Sequence, residues 1–599
     1  MGLLILVVAT AAWRWWTISH WSWFADDWIY LYETQEQGFL AYVFQGYNSH
    51  LMPGQFLVVW LITSVQPLGF GLAAGVLTAF AVASVIAWAA ALREIFGEKV
   101  QLLLPLLLIA LSPLLLMPTV WFASGVQVLP LQLFMGLSVL FTARYALRGH
   151  RRSDAVWLLV SFAAGLFFWE KALLVMIPVA FVGYLLVEGA PVARLRRLVP
   201  VLAAPTVLAA VYTVVYLTTR RSGAIGIQTT QFAPRSFDEW WEFMTASMRN
   251  IGLTTIAGGP FETMQDAWDN YVPISSALAA SLGVALVLFL VVSLVLRRGS
   301  ALAIAMTAVY LLVSWGLVLS SDRYVDTLLV AAGTGRYATD ILPVAALTLA
   351  FLTAQTRSAN QTSQVRRAPS PRVVEGGRLV MQMVAACVAL AIVVMNALGW
   401  AAAREQSPRP WVDAIVADSK RAGDATLVST PPPPTVIHPV LFLANAQLPK
   451  MLKPLDLPLS FDRPSQQLLA ADGSGHLREA EVVNYAAKNK PTDNPDCGFL
   501  VRPGRTTRVP MTIDLYGFAW AVRLDYFAEQ PTSITVSTDT VDVDLDLQQG
   551  LRLMQFGVND SISSFEVSAP ADASPVCVTQ VFVGSFGASD RSPFQEPAQ

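Results

Sequence analysis

Stretches of about twenty apolar residues alternate with short polar segments over the first two thirds of the chain. Because a transmembrane helix needs roughly twenty mostly apolar residues, we predict a polytopic α-helical membrane protein with about eleven spans. The predicted spans are residues 1–18, 70–92, 102–118, 126–147, 155–168, 172–189, 198–218, 275–296, 301–320, 338–352 and 379–400. The first run has neither a charged start nor a small-residue cleavage site, which favours a helix over a removable signal.

Positive charge follows this pattern, since Lys and Arg are concentrated in every second loop, with Arg220 and Arg221 as exceptions. These residues accumulate on the cytoplasmic side, so we predict that the N-terminus lies inside. The inner loops then contain Arg93, Lys99, Arg144, Arg148, Arg151, Arg152, Arg194, Arg196, Arg197, Arg297, Arg298, Arg357, Arg366, Arg367, Arg372 and Arg378. Residues 19–69 contain no Lys or Arg and are predicted outside, with everything after residue 400. The short apolar run 55–65 is predicted to be a helix in the outer interface, because a span there would invert every later loop.

Hydropathy falls after residue 400, and the rest of the chain is typical of soluble protein. We predict a transmembrane domain at 1–400, a mixed α/β subdomain at 401–495 and a β-sandwich at 496–590, where short alternating runs recur between turn residues. Cys497 and Cys577 each lie beside such a run. A disulfide between them is expected if the region faces an oxidising compartment, and two cysteines that never meet is the alternative.

Composition narrows the function classes. The chain is 54% hydrophobic and only 14% charged, which is typical of a membrane protein. A net charge of −2 offers no basic surface for a nucleic-acid partner. No His/Cys cluster indicates zinc. We expect no required cofactor, although a divalent cation, Ca²⁺ or Mg²⁺, on the carboxylates is left open.

Several ionisable residues gather on the predicted outer face, and such groups near lipid are functional candidates. They are Asp26, Asp27, His50, Glu170, Lys171, Arg220, Arg221, Asp322, Arg323 and Arg336. Singly, each has a structural explanation as a helix cap, an ion pair or a lipid-facing anchor. Together they share a chemistry: a carboxylate can activate a hydroxyl, and cations can hold a departing phosphate. The set therefore indicates a lipid-phosphate substrate.

This arrangement resembles the GT-C superfamily of integral-membrane glycosyltransferases, which includes protein O-mannosyltransferases and mycobacterial arabinofuranosyltransferases. The matching features are an Asp-Asp pair after the first span ("WFADDWIY"), an interfacial helix in the same loop, and "LREIFG" ending the second span. An acid beside a Lys follows the fifth span ("FFWEKALL"), and an Arg-Tyr with a later Pro lies in the last large outer loop. The resemblance covers residues 1–400. The Glu-Lys order and the proline spacing in "YNSHLMPG" depart from the commoner family pattern.

The resemblance implies transfer of a sugar from a polyprenyl-phosphate donor, usually with inversion. Asp26 or Asp27 would be the general base, with Asp26 the first choice. The donor phosphate would be held by Lys171, Arg336, Tyr337, Arg323 and Arg220. His50 and Glu170 would shape the pocket.

The C-terminal region resembles the jelly-roll-like carbohydrate-binding modules of actinobacterial GT-C enzymes. Four aromatic residues are candidates for stacking on sugar rings, with the sandwich core as their alternative place: Tyr516, Phe518, Trp520 and Tyr526. The acidic stretch "TDTVDVDLD" is better explained by a strand with solvated acids on one face than by a calcium site.

We therefore expect a glycosyltransferase acting at the outer face of a bacterial cytoplasmic membrane, with an extracytoplasmic C-terminal region. Its acceptor would be a cell-envelope glycan or lipid, and its sugar arabinose or mannose if the source is actinobacterial. The alternative is a transporter or flippase of lipid-linked sugars, which should show inverted repeats and charges near the midplane.

Overall fold

The computed structural model describes residues 2–219, 235–261, 274–320, 328–358 and 371–594. The chain divides into two compact units. The first comprises Met1–Pro408 with Val440–Leu443, and the second comprises Arg409–Pro439 with Ala444–Gln599.

Helices dominate the first unit. The α-helices of the chain are α1 (Gly2–Ser19), α2 (Asp27–Glu36), α3 (Phe39–Val43), α4 (Pro53–Val65), α5 (Phe70–Phe96), α6 (Leu103–Leu111), α7 (Leu116–Val120), α8 (Phe122–Leu147), α9 (Arg152–Phe168), α10 (Met176–Leu186), α11 (Pro191–Thr219), α12 (Phe237–Ser247), α13 (Leu253–Ile256), α14 (Ser276–Leu296), α15 (Ser300–Leu319), α16 (Leu328–Gly333), α17 (Ile341–Thr353), α18 (Pro371–Glu405), α19 (Arg409–Arg421), α20 (Pro439–Phe442) and α21 (Leu448–Leu452). A hairpin of β1 (Gly46–Tyr47) and β2 (His50–Leu51) precedes α4, and 3₁₀ turns occupy Glu170–Val175 and Gly335–Ala338.

Among the described residues, eight helical stretches are long and apolar enough to cross a membrane. They are Gly2–Ser19, Phe70–Phe96, Val100–Val120, Phe122–Leu147, Pro191–Thr219, Ser276–Leu296, Ser300–Leu319 and Val380–Arg421. The prediction of a helical membrane region is confirmed at this level. The predicted spans 155–168, 172–189 and 338–352 coincide with α9, α10 and α17, which have 17, 11 and 13 residues. At about 1.5 Å per residue these are shorter than a hydrocarbon core of about 30 Å, so the total of eleven stays a prediction.

Helix α5 runs between two ends of the first unit. At its start, the Phe70 ring meets Trp23 edge-on with centroids 5.1 Å apart, and at its end Phe96 meets Phe351 at 5.0 Å. Its 27 residues correspond to about 40 Å of helix. The segment around Trp23 and the end of α17 are therefore separated by the full length of α5.

The far end of α5 collects basic residues from the predicted inner loops. Glu94 on α5 forms an ion pair with Arg148 beyond α8. The Arg297 guanidinium beyond α14 donates to the carbonyl of Ala354 beyond α17, with 2.9 Å between Nη1 and O. Four helix ends are thus joined by cationic side chains, which agrees with the predicted alternation of loop charge.

The second unit is built on a ten-stranded, mostly antiparallel sheet. Its strands are β3 (Thr426–Leu427), β4 (Ser460–Phe461), β5 (Leu468–Ala471), β6 (Leu477–Lys488), β7 (Phe499–Val501), β8 (Thr506–Ala528), β9 (Thr532–Ser537), β10 (Asp542–Leu547), β11 (Gly550–Ser568) and β12 (Val576–Ala588). The order is β10-β9-β11-β8-β12-β6-β5-β3-β4, with β7 paired to β12, and only β3 pairs in parallel, with β4 and β5. Antiparallel strands in this region are confirmed, and the jelly-roll-like sandwich stays a prediction.

Strand β8 is one continuous strand, although the sequence pattern shows two separate alternating runs in it, "RVPMTIDL" and "AVRLDYFA". Between Pro510 and Phe518 it advances 8 residues, while its partner β11 advances 4, from Ser564 to Asp560. Two register shifts, one on each side of the Ile562–Leu515 pair, absorb the four additional residues. Such bulges re-aim side chains along a strand. As a result, Tyr516 and Phe518 are 72% and 48% exposed.

The other two aromatic candidates lie in the core of this unit. Trp520 and Tyr526 are buried. The hydroxyl oxygen of Tyr526 accepts hydrogen bonds from Gln466 Nε2 and from the backbone N–H of Gln548, both at 3.0 Å. A sugar-stacking role for these two residues is therefore wrong, and the core alternative is correct.

Cys497 and Cys577 form a disulfide in the structure. Cys577 lies on β12, opposite Leu500 of β7. Gly498, next to Cys497, has a φ of 69°, and a Cβ there would overlap the carbonyl of Val578. A glycine is therefore needed where the chain approaches β12.

Candidate active site

A strained turn carries the two aspartates. We call residues 24–27, which connect α1 to α2, the aspartate turn. Its second residue, Ala25, is fully buried and has a φ of 53°, a left-handed conformation that costs an L-residue about 1–2 kcal/mol. This conformation folds the chain back so that the N–H of Phe24 donates to Asp27 Oδ2 at 3.0 Å.

Asp27 fixes the aspartate turn to another helix. Its Oδ1 accepts the N–H of Ala123 at 2.8 Å, in the first turn of α8, where backbone N–H groups lack helical partners and the helix dipole favours an anion. Burial raises the pKa of the Asp27 carboxyl, against the opposing effect of the N–H groups of Phe24 and Ala123. Because both of its oxygens are bonded to backbone, Asp27 is a structural clamp.

Asp26 lies in a different environment from its neighbour. It is half-buried and precedes α2, and its carbonyl accepts the N–H of Ile29 at 3.0 Å. Its side chain makes no capping hydrogen bond to that helix. The two backbone N–H bonds to the turn and to α8 are therefore made by Asp27, and Asp26 does not cap α2.

Trp121 connects the aspartate turn to a cation. Its ring meets Phe24 edge-on with centroids 5.4 Å apart. The guanidinium carbon of Arg336 lies 5.1 Å from the centroid of Trp121 and 5.1 Å from that of Tyr337, which are cation–π distances. The Trp121 ring therefore contacts both the aspartate turn and Arg336. Arg336 and its neighbour Tyr337 are two of the residues predicted to bind the donor phosphate.

Lys171 lies in a buried polar network. Its Nζ is 3.0 Å from Asp340 Oδ1 and 3.3 Å from Ser314 Oγ. Asp340 Oδ2 accepts from Ser314 at 2.8 Å and from Tyr310 at 3.3 Å. The ammonium also lies 5.1 Å from the ring centroid of Trp169. Because Asp340 is fully buried, Lys171 provides the charge that compensates it.

Arg336 and Asp340 belong to one short segment. The 3₁₀ turn Gly335–Ala338 carries Arg336, and Asp340 follows it immediately before α17. One end of the segment therefore meets Trp121, and the other end meets Lys171. The segment from Gly335 to Asp340 therefore carries one predicted cation, Arg336, and contacts the other, Lys171.

His50 and Glu170 also form a pair. The hairpin places Tyr47 opposite His50, with Asn48 and Ser49 in the two-residue turn at φ values of 47° and 65°. Two left-handed residues in a row define a type I′ turn, for which Asn is favoured. The turn presents His50 Nδ1 at 2.5 Å from Glu170 Oε1.

Aromatic contacts connect this pair to the aspartate turn. Tyr30 of α2 lies edge-on to Tyr47 of the hairpin at 4.8 Å and edge-on to Phe56 of α4 at 5.3 Å between centroids. Tyr30 is only three residues beyond Asp27. The aspartate turn, the hairpin, the start of α8 and the segments at Lys171 and Arg336 therefore form one assembly.

Four predicted outer-face residues, Arg220, Arg221, Asp322 and Arg323, lie outside the described residues. Within the described part of the chain, no group of three or more His, Cys, Asp or Glu side chains is placed to hold a metal ion.

Sequence reasoning overlooked Ala25, Trp121 and Asp340. No local pattern marks an alanine as left-handed. Asp340 was visible as an acid beside an apolar run, but its partner Lys171 lies 169 residues earlier, and nothing in the sequence connects the two.

Comparison with known proteins does not assign this chain to a family. No protein-family model and no curated protein matches the chain. Two cryo-EM structures of the arabinofuranosyltransferase AftD from mycobacteria, one of them a mutant form, are similar to it at 10% identity, with TM-scores of 0.37 and 0.33. The alignments cover 99% and 98% of this chain but only 59% and 61% of those chains. This chain thus spans about three fifths of their length, and at this identity and TM-score the likeness assigns no activity to it.

Proposed function

We propose that the chain is a GT-C-type glycosyltransferase. It moves a sugar from a polyprenyl-phosphate donor to a cell-envelope glycan or lipid acceptor, with inversion at the anomeric carbon. The donor class and the direction of transfer follow from the resemblance stated above and from the chemistry of the assembled residues.

One observation carries this proposal. The aspartate turn is fixed by the bond between Asp27 and Ala123, and Arg336 lies against Trp121, two residues before Ala123. Asp26, which adjoins Asp27 in the turn, is thereby carried on the same support as a guanidinium suited to phosphate. A base and a phosphate-binding cation on one rigid support are what a lipid-phosphate sugar transfer requires.

The proposed reaction is an in-line displacement. Asp26 accepts the proton of the acceptor hydroxyl as its oxygen forms a bond to the anomeric carbon. The bond from that carbon to the phosphate oxygen breaks, and the polyprenyl phosphate leaves with the electron pair. Arg336, with Tyr337, stabilises the charge that develops on this phosphate.

Lys171 helps to neutralise the negative charge that develops on the same phosphate. An ammonium has three N–H donors, and Asp340 and Ser314 accept two of them. We propose that the third is donated to a phosphate oxygen. Since Asp340 compensates the charge of Lys171, we assign the larger share of phosphate neutralisation to Arg336. Arg220 and Arg323 remain proposed phosphate ligands from the sequence, and a divalent cation is not needed for this scheme.

The orientation of the chain is part of the proposal. With the basic end of α5 in the cytoplasm, the aspartate turn lies at the outer face of a bacterial cytoplasmic membrane, in a domain at 1–400 with about eleven spans. The regions 401–495 and 496–590 would then be extracytoplasmic, where the disulfide of Cys497 with Cys577 is stable. An actinobacterial source would favour arabinose or mannose as the sugar.

For the C-terminal region we propose a jelly-roll-like carbohydrate-binding module. The exposed rings of Tyr516 and Phe518 lie next to each other, with centroids 6.2 Å apart, on the bulge of β8. Aromatic side chains displayed in this way can stack on sugar rings. The region would hold a polymeric acceptor.

A transporter or flippase of lipid-linked sugars is the alternative class. The aspartate turn is near the start of α5, whereas Thr339, next to Asp340, accepts a hydrogen bond from Gln132, whose carbonyl accepts one from Trp88 within α5. Inverted repeats together with charges near the midplane would favour a transporter.

The test uses the purified full-length chain. Polyprenyl-phosphate arabinofuranose and polyprenyl-phosphate mannose are supplied with arabinan and mannan acceptors, and the transferred sugar is measured. The parent should transfer one of them, and Asp26→Asn should lose at least about 100-fold in rate, as expected for a general base. Full activity of a folded Asp26→Asn variant would falsify the assignment of the base.

A further inference from the structure

One oxygen of the Glu170 carboxylate has a partner and the other does not. Oε1 lies 2.5 Å from His50 Nδ1. Oε2 is buried and has no hydrogen-bond partner among the residues that the structure describes. Buried polar atoms in proteins are nearly always hydrogen-bonded. A carboxylate oxygen can only be satisfied by a donor, so its donor comes from a group other than the described residues.

The pair is held in a fixed position by α11. The hydroxyl of Tyr216 donates to the carbonyl of Ser49 at 2.8 Å, and the hydroxyl of Tyr212 donates to the carbonyl of Leu51 at 3.0 Å. These bonds grip the hairpin on both sides of His50. His50 in turn fixes the rotation of the Glu170 carboxylate. A polar group held by such support keeps its geometry for a ligand.

The pair borders accessible space. The side chains of His50 and Glu170 are 26% and 14% exposed. The pair is therefore partly open although Oε2 itself is buried, whereas Asp340 is fully buried and both of its oxygens have partners.

The preceding residue offers a complementary group. The indole N–H of Trp169 is also buried and has no partner in the described part of the chain. Two consecutive residues thus present one unused acceptor and one unused donor. A hydroxyl is a neutral group that donates and accepts at once. A phosphate is excluded at Glu170 because two anions would repel each other.

The position of Glu170 in the chain indicates the molecule to which this hydroxyl belongs. Glu170 is followed directly by Lys171, which the proposed mechanism places at the donor phosphate. The sugar is attached to that phosphate, so its hydroxyls are the ones that come within reach of residues 169 and 170.

We propose that Glu170 and Trp169, with His50 as a positioning residue, bind one hydroxyl of the transferred sugar and thereby select the sugar. This inference rests on the proposed function. It assigns a subsite for a sugar hydroxyl to residues that do not take part in proton transfer.

The test removes the two partners in turn. The full-length protein, Glu170→Ala and Trp169→Phe are assayed with polyprenyl-phosphate arabinofuranose and mannose, and with forms of the accepted donor that each lack one hydroxyl. For one deoxy donor, the parent should lose about 10- to 100-fold in kcat/KM, as expected for a hydrogen bond to a charged group. Glu170→Ala should show a similar loss on the complete donor and little further loss on that deoxy donor. Trp169→Phe, which keeps the ring and removes the N–H, should show the same non-additivity on a smaller scale.

A matched control separates this effect from general damage. Glu94 is also a buried, paired carboxylate of the first unit, but it lies at the basic end of α5. Glu94→Ala should alter the rates on all donors by one common factor. The inference is overturned if Glu170→Ala does the same, because its loss would then be independent of any sugar hydroxyl.

Failure of the proposed function gives a different result. A folded parent protein that transfers sugar from neither donor would overturn both the proposed function and this subsite. A parent that transfers sugar, with additive losses for Glu170→Ala and every deoxy donor, would overturn only the subsite.

Discussion

The carboxylate of Asp27 accepts the N–H of Ala123 at 2.8 Å across 96 residues of chain, which fastens the aspartate turn to the first turn of α8. The neighbouring Asp26 makes no capping hydrogen bond to α2. Two adjacent residues of the same type therefore have separable roles.

This separation predicts opposite phenotypes. Asp27→Ala removes two hydrogen bonds between a carboxylate and backbone N–H groups, each worth about 1.5–3 kcal/mol, so we expect a clearly lower midpoint of thermal unfolding in detergent. Asp26→Asn should unfold at the temperature of the parent and fail to transfer sugar. Equal unfolding midpoints for the two variants would contradict the division of roles.

The pair of Lys171 and Asp340 should be sensitive to loss of one partner. Asp340→Asn leaves a buried ammonium without its counter-charge, which typically costs about 3–5 kcal/mol. The double variant Lys171→Met with Asp340→Asn removes both charges and should be more stable than the single variant. Thermal unfolding of the three proteins checks this, and a single variant as stable as the parent would show that the pair is not holding the network.

The exposed and buried aromatic residues of β8 should behave differently. Tyr516→Ala and Phe518→Ala should each weaken binding to soluble arabinan or mannan by roughly fivefold, since one stacked ring contributes about 1 kcal/mol, without changing the unfolding midpoint. Tyr526→Phe removes the acceptor of two hydrogen bonds and should lower the midpoint without a change in binding. Affinity electrophoresis of the full-length protein measures glycan binding. If both alanine variants migrate like the parent, these rings do not stack on sugar.

The disulfide should make a large contribution to the stability of the second unit. It links residues separated by 80 positions, and the loop-entropy model gives about 4.5 kcal/mol for a loop of that length. The double variant Cys497→Ser with Cys577→Ser should therefore unfold at a lower temperature than the parent under oxidising conditions. Under reducing conditions the two proteins should converge, and a difference that persists would point to a cause other than the bond.

Asp472 predicts an acid-sensitive turn between β5 and β6. Burial alone would raise the pKa of its carboxyl, but hydrogen bonds from Ser474, Arg478 and the N–H of His476 outweigh burial and lower the pKa to about 2. The unfolded value is about 3.9. The carboxylate therefore stabilises the folded form above about pH 4, and this contribution disappears as the pH falls towards 2. The difference in unfolding midpoint between the parent and Asp472→Asn should shrink over that interval, and a constant difference would contradict the assignment.

The sequence was most informative where physical effects are local. Apolar runs and loop charges located the helices and grouped Arg148 and Arg297 at one end, because length and charge alone determine those features. The pattern could not show that Pro510 to Phe518 belongs to one bulged strand, since a bulge and a turn use the same residues. It also could not distinguish the roles of Asp26 and Asp27, because the difference depends on Ala123, which is distant in the chain.

Glycans and lipids are flexible partners, and ordering them is costly in entropy. The left-handed Ala25 and the backbone bonds of Asp27 fix the aspartate turn through contacts within the chain itself. The conformational entropy of the aspartate turn is lost when the chain folds and not when substrate arrives. The turn is therefore preorganised, and a substrate that docks there can use its binding energy to orient its own reacting atoms.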